Sequence, residues 1–231
     1  MRKLFALSLI ILITVITGCA NNANIDINET YWQNKPSTVV IVTTHADKLQ
    51  YDDEYGSSQT IIYQMASMAF TQKLQQHLNQ MSMDWYYEGL AEQFQHALAK
   101  EHIKAVIANE HPYLDPDILF NNRAKLNRVQ LATEYDAEQV LVLAMPFCGA
   151  STPLQPNIFA GAPPVQGGCV LYAELSDPQH SAIYWRYTSR VRMPVVGNAN
   201  QPPDYPNVTQ SAVNSQKIAV EELLDSLRRG R

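Results

Sequence analysis

The sequence predicts an α/β fold, a mixed sheet of about five strands with about four helices packed on it. Three observations carry this. β-Branched runs at Thr38–Thr43, Ile103–Ala108 and Gln139–Met145 are separated by stretches whose apolar residues recur at helical spacing, so the strands are joined by crossovers and run parallel. Val170–Leu175 and Ala182–Met193 flank the turn-like Ser176–Ser181, which predicts a hairpin and adds antiparallel strands. Apolar residues at 213, 218, 220, 223, 224 and 227 give Val208–Arg229 one apolar face, and Arg228 and Arg229 suit its C-terminal end.

Taken in order, Ala20–Ser37 is polar and asparagine-rich and reads as a tether. Thr38–Thr43 is the first buried strand. His45–Ser58 is turn-like and acidic. Its Asp52-Asp53-Glu54 lacks the alternating ligands and turn glycine of a calcium loop, which favours a solvated face. Ile62, Met65, Ala66, Ala69, Leu74, Leu78 and Met81 predict a helix over Thr60–Gln80. Asp84 can cap a second helix lined by Tyr87, Leu90, Ala91, Phe94, Ala97 and Leu98. Ile103–Ala108 follows as a strand, and His111–Pro116 as a turn set by two prolines. Leu119–Glu134 is a third helix. Gln139–Met145, apolar at nearly every position, is the central strand. Gly149–Gly168 holds four glycines and four prolines and predicts an insertion loop.

The amino terminus has a separate logic. Arg2 and Lys3 precede Leu4–Ile16, an uncharged and mostly apolar run. A spanning helix needs about 20 apolar residues, so this run fits a secretory signal peptide. Ile16-Thr17-Gly18-Cys19 resembles the bacterial lipobox. The resemblance implies cleavage after Gly18 and acylation of Cys19, an anchor of several acyl chains that holds stably on a bilayer. The other reading is an ordinary signal peptide with Cys19 free. Ala20 and Asn21 after the cysteine imply, by analogy with such lipoproteins, an outer-membrane, periplasm-facing location. The expected organisation is a signal peptide at 1–18, a lipidated tether at 19–37 and a single periplasmic domain at 38–231.

Removing Arg2 and Lys3 from the 17 basic residues leaves 15 against 22 acidic, a balance of −7. That argues against a nucleic-acid partner. In an oxidising periplasm Cys148 and Cys169 are expected to pair, which closes a loop whose entropy is worth about 3 kcal/mol. Two cysteines so spaced, with no histidine nearby, do not make a zinc site.

Candidate interaction residues fall in two places. The stretch Gln139–Ala173 carries no charged side chain, and Leu154, Ile158, Phe159 and Val165 within it are candidates for partner binding if the loop is exposed. A tolerated insertion between strands explains the same loop. In the second hairpin strand, Arg186, Arg190 and Arg192 share one face and are candidates for an anion such as a lipid head group or glycan carboxylate. The alternatives are a solvated face, and neutralisation of one arginine by Glu174. No Gly-x-Ser-x-Gly elbow or His-Glu-x-x-His occurs, and the six histidines are scattered, so no enzyme and no cofactor are expected.

Tyr135-Asp-Ala-Glu-Gln-Val-Leu-Val142, then Leu175-Ser-Asp177, then Ile183-Tyr-Trp185 form a pattern of helix end, central strand, Asp turn and strand with Trp. It is similar to periplasmic lipoproteins related to the amino-terminal domain of the Tol translocation protein TolB, a group that includes the curli secretion-channel lipoprotein and lipoprotein activators of peptidoglycan synthases. The chain departs from that pattern in lacking a glycine near Asp177 and in its cysteine-bracketed insertion. The resemblance implies a protein-binding domain without catalysis, docked on an envelope protein, and ring-like self-association as in some members. A lipid- or glycan-binding carrier is the alternative.

Overall fold

The computed structural model describes residues 23–46, 48–53, 61–82, 89–108, 126–152 and 165–229. The elements are α1 (Glu29–Gln33), β1 (Thr38–His45), β2 (Gln50–Asp53), α2 (Ile61–Leu78), α3 (Leu90–Lys100), β3 (Lys104–Ile107), α4 (Arg128–Glu134), β4 (Gln139–Thr152), β5 (Gln166–Asp177), β6 (Ala182–Pro194) and α5 (Pro206–Arg228). Five strands lie in the order β3-β1-β4-β5-β6, and β2 adds to the side of β4. β3, β1 and β4 are parallel, whereas β4-β5-β6 are antiparallel. The mixed sheet with helices on it is the fold class read from the sequence.

β1 and β4 sit centrally because both their faces are apolar. Val39 and Ile41 join the core with Phe94, Leu141, Leu171, Trp185 and Leu223 on one face. Val40, Val42, Val140 and Val142 join Leu131 and Ala132 of α4 on the other. Phe94 and Leu98 of α3 and Val220, Leu223 and Leu227 of α5 are buried on the first face, as the helical spacing requires. Trp185 anchors that layer: its indole N–H donates to Ser226 Oγ at 3.1 Å, and its ring lies 6.3 Å from that of Phe94.

α5 approaches β5 closely through small residues. Ser211 Oγ accepts from Gly167 N–H at 3.2 Å, and Ser215 Oγ donates to Gly167 O at 3.0 Å. A Cβ on Gly167 would lie 2.3 Å from the Ser211 backbone, so only glycine fits. A Cβ on Gly149 would lie 2.0 Å from Gln50 O, so that glycine admits β2 beside β4.

Four differences from the sequence reading have physical causes. The predicted insertion loop at 149–168 is strand at both ends, because β4 continues to Thr152 and β5 begins at Gln166. β2 forms from polar residues expected as a turn, held by backbone pairing to β4. The third helix starts at Arg128, after Leu126 and Asn127, because the Asn127 side chain caps it, while Asp84, Tyr87 and 119–125 lie outside the described residues. The tether expected to run to Ser37 is instead docked from Asn24 onward. Ile25 and Arg186 exchange two backbone hydrogen bonds of 2.8 Å, Ile27 and Tyr31 are buried, and Tyr31 donates to Gln139 Oε1 at 3.0 Å.

Candidate functional site

Glu174 is the one charged residue of β5 before its terminal Asp177, and the hairpin register sets it opposite Arg186. Both point to the α4 face of the sheet. Arg186 Nε meets Glu174 Oε2 at 3.0 Å with the side chains 4% and 2% exposed. Asn127 caps α4 by accepting from Gln130 N–H at 3.0 Å, and the cap aims Arg128 at Glu174, Nη2 to Oε1 at 2.9 Å. The Tyr172 hydroxyl donates to Glu174 Oε2. One buried carboxylate therefore receives two guanidiniums and a phenol, the compensation such a burial requires.

Beside this cluster, between α4 and the β5–β6 turn, lies a cavity of about 460 Å³, within the range of small-ligand sites. Leu126, Val129 and Ile183 supply apolar wall, and Glu174, Ser176 and Asp177 supply polar groups. Ser176 is 4% exposed, and its hydroxyl has no hydrogen-bond partner among the described residues. Asp177 organises the turn: Oδ1 accepts from the N–H groups of Gln179 and His180 at 2.8 and 3.0 Å, and Oδ2 lies 2.8 Å from His180 Nδ1. Burial pushes the Asp177 carboxyl up, but the hydrogen bonds from the His180 side chain and from the His180 and Gln179 backbones outweigh it and hold it below the ordinary carboxylate value. Burial, reinforced by the Asp177 charge and hydrogen bond, raises the Tyr184 phenol. Among the described residues no group of three His, Cys, Asp or Glu side chains is placed to hold a metal ion.

The residues singled out from the sequence separate. Cys19, Leu154, Ile158 and Phe159 lie outside the described residues. Val165 is 4% exposed and belongs to the core, not to a docking surface, because the strand pairing of β5 draws the chain inward there. Cys148 and Cys169 are register partners on β4 and β5, with Cα atoms 4.1 Å apart and their sulfurs joined as a disulfide beneath Ala212 of α5. Arg186 shares its face of β6 with Arg190 and Arg192 but is buried on it, neutralised by Glu174, the alternative reading of the sequence. Arg190 and Arg192 remain exposed. Sequence reasoning missed Arg128, Tyr172 and Ser176. A lone acid in an apolar strand, read together with hairpin register, points to Arg186; nothing local marks Arg128, which lies 46 residues from Glu174.

No protein-family model matches the sequence, and no curated protein does. Solved structures overlap it loosely. A Xanthomonas campestris protein of family-model DUF330 is 10% identical, with 84% of this chain and 86% of that chain covered at a TM-score of 0.42. A lipoprotein from Neisseria meningitidis is 12% identical, over 79% and 98%, at 0.33. The PelC dodecamer from Paraburkholderia phytofirmans is 11% identical, over 89% and 93%, at 0.35. The chain described here is defined as a mixed α/β domain by its own strand order.

Proposed function

We propose that the protein is an exported lipoprotein, held to the outer membrane by acyl chains on Cys19 and facing the periplasm, whose domain serves as a non-enzymatic docking or accessory subunit of a cell-envelope assembly. The observation that carries this reading is the lipobox-like Ile16-Thr17-Gly18-Cys19, whose cysteine stands five residues before Asn24, which is bonded to β6. The Cys148–Cys169 pair supports it, since such disulfides belong to oxidising compartments. The buried charges of the domain bind one another, as suits a scaffold. In this reading partner binding falls to the stretch 153–164, with Leu154, Ile158 and Phe159. In-cell crosslinking of the full-length chain tests it. One defined envelope protein is expected, and deletion of 153–164 removes the crosslink while thermal unfolding stays cooperative. Crosslinking that finds no envelope protein removes the docking role, and a crosslink that survives the deletion removes the loop from it.

A second reading, a lipid- or glycan-binding carrier, is favoured by the cavity beside Ser176. Native mass spectrometry of detergent-free protein then finds a bound molecule that Ser176→Val releases. An unliganded mass removes it.

A further inference from the structure

We infer that the outer edge of β6, with Arg190 and Arg192, is the side of the domain that rests on an anionic lipid surface. The inference rests on the lipid anchor at Cys19 proposed above. The amino-terminal segment docks on that edge, and Cys19 stands only a few residues before the docked part.

As a free tether, Ala20–Ser37 would reach about 60 Å, because an extended chain spans roughly 3.3–3.6 Å per residue. The structure leaves far less. The Ile25–Arg186 bridge pins the segment to β6 by two backbone hydrogen bonds of 2.8 Å. Asn24 Oδ1 accepts a further bond from Thr188 N–H at 3.0 Å, and Ile27 and Tyr31 are buried behind it. Asn24, the first residue bonded to β6, stands five peptide links from Cys19, so the same contour limit allows a leash of no more than about 18 Å from the β6 edge. The sheet is wider than that leash: β3 stands four strand spacings from β6, about 19 Å. The leash therefore delivers the β6 side to the bilayer and leaves the β3 side outward.

The direction of the chain selects the part of that edge. The bridge is antiparallel, and Asn24 bonds Thr188. Moving from Ile25 towards the amino terminus therefore runs towards Arg190 and Arg192, both exposed and on one face. Arg229, 6.0 Å over the Tyr187 ring, adds a third guanidinium near the same edge. These cations gather where the anchor leaves a domain whose mature balance is negative. Anionic headgroups attract basic side chains within about a Debye length and repel the acidic remainder, so the two effects orient the domain the same way.

The test uses the full lipidated chain in vesicles of phosphatidylcholine with and without phosphatidylglycerol, and a thiol-reactive dye at Thr188→Cys or, on the far edge, Lys104→Cys. A headgroup spin-labelled lipid is expected to quench the dye at 188 several-fold more than at 104. The contrast is greatest with phosphatidylglycerol and falls to the phosphatidylcholine level in R190E/R192E. A flexible glycine-serine insert after Ala20 abolishes it. Equal quenching at the two positions, or none at 188, on a chain whose intact mass includes the acyl groups overturns this orientation and leaves the anchor standing. A mass without acyl groups overturns the anchor and this inference together.

Discussion

Glu174 and Arg186 face each other across the β5–β6 register, 3.0 Å apart and enclosed on the α4 side of the sheet. The pair joins the edge strand to the interior. Arg128 reaches the same carboxylate from α4, so one side chain ties helix, inner strand and edge strand together. Through the Ile25–Arg186 bridge the amino-terminal segment is tied to the same point.

Glu174→Gln leaves two guanidiniums without their counter-charge. The expected loss is about 3–5 kcal/mol, the range for breaking a buried pair from one side. Arg186→Met costs less, because Arg128 and the Tyr172 hydroxyl still serve the carboxylate. Urea denaturation checks the ranking, with the midpoint falling at constant slope. Equal losses from the two substitutions would show that the carboxylate is not shared.

Opening the Cys148–Cys169 disulfide by replacing both residues with alanine is expected to lower stability by about 3 kcal/mol, chiefly through the freed denatured chain. The check is the urea midpoint of wild type with and without reductant. Reductant lowers the wild-type midpoint to that of the double variant and leaves the variant unchanged.

Gly167→Ala tests the α5–β5 contact. The new Cβ meets the helix backbone at Ser211, which cannot swing aside as a side chain would. Overpacking of this kind costs about 1–3 kcal/mol. Gly89→Ala provides the contrast, since nothing among the described residues lies within 4 Å of the new Cβ, and the positive φ of 77° opposes it. That strain is worth about 1–2 kcal/mol. Amide exchange separates the cases: Gly167→Ala loosens both β5 and α5, whereas Gly89→Ala frays only the start of α3.

The parts of this fold legible in the sequence are those whose physics is local. β1 and β4 are apolar on both faces, so their runs are continuous, and α5 shows its buried stripe at helical spacing. The hairpin is legible through its alternation and its turn. β2 was not, because Gln50–Asp53 has no apolar pattern and exists through backbone pairing beside Gly149. The docking of Ile25, Ile27 and Tyr31 was masked by the polar residues between them. The cavity depends on Arg128 meeting Glu174, a contact that only tertiary structure brings about, and Val165 looked like loop because the strand ends beside it are rich in glycine.

The amino-terminal segment also carries a pH signature, through Tyr31. Burial, then the neighbouring Tyr184 and Glu138, raise its phenol above the ordinary value. A group whose pKa is raised by folding contributes stability that is complete below the unfolded value, near pH 10 for tyrosine, and is lost as pH climbs through the folded one. Docking of the segment is therefore expected to hold unchanged across neutral pH and to weaken only on the alkaline side. Tyr31→Phe removes the bond to Gln139 Oε1, leaves that buried oxygen unserved, and costs about 1–3 kcal/mol. The difference between wild type and Tyr31→Phe stays constant to about pH 10 and closes above it. Protection of the Ile25 and Arg186 amides against hydrogen exchange at neutral pH compares the two chains, and urea midpoints across the alkaline range read the closure. A gap that closes on the acid side would assign the effect to a different group.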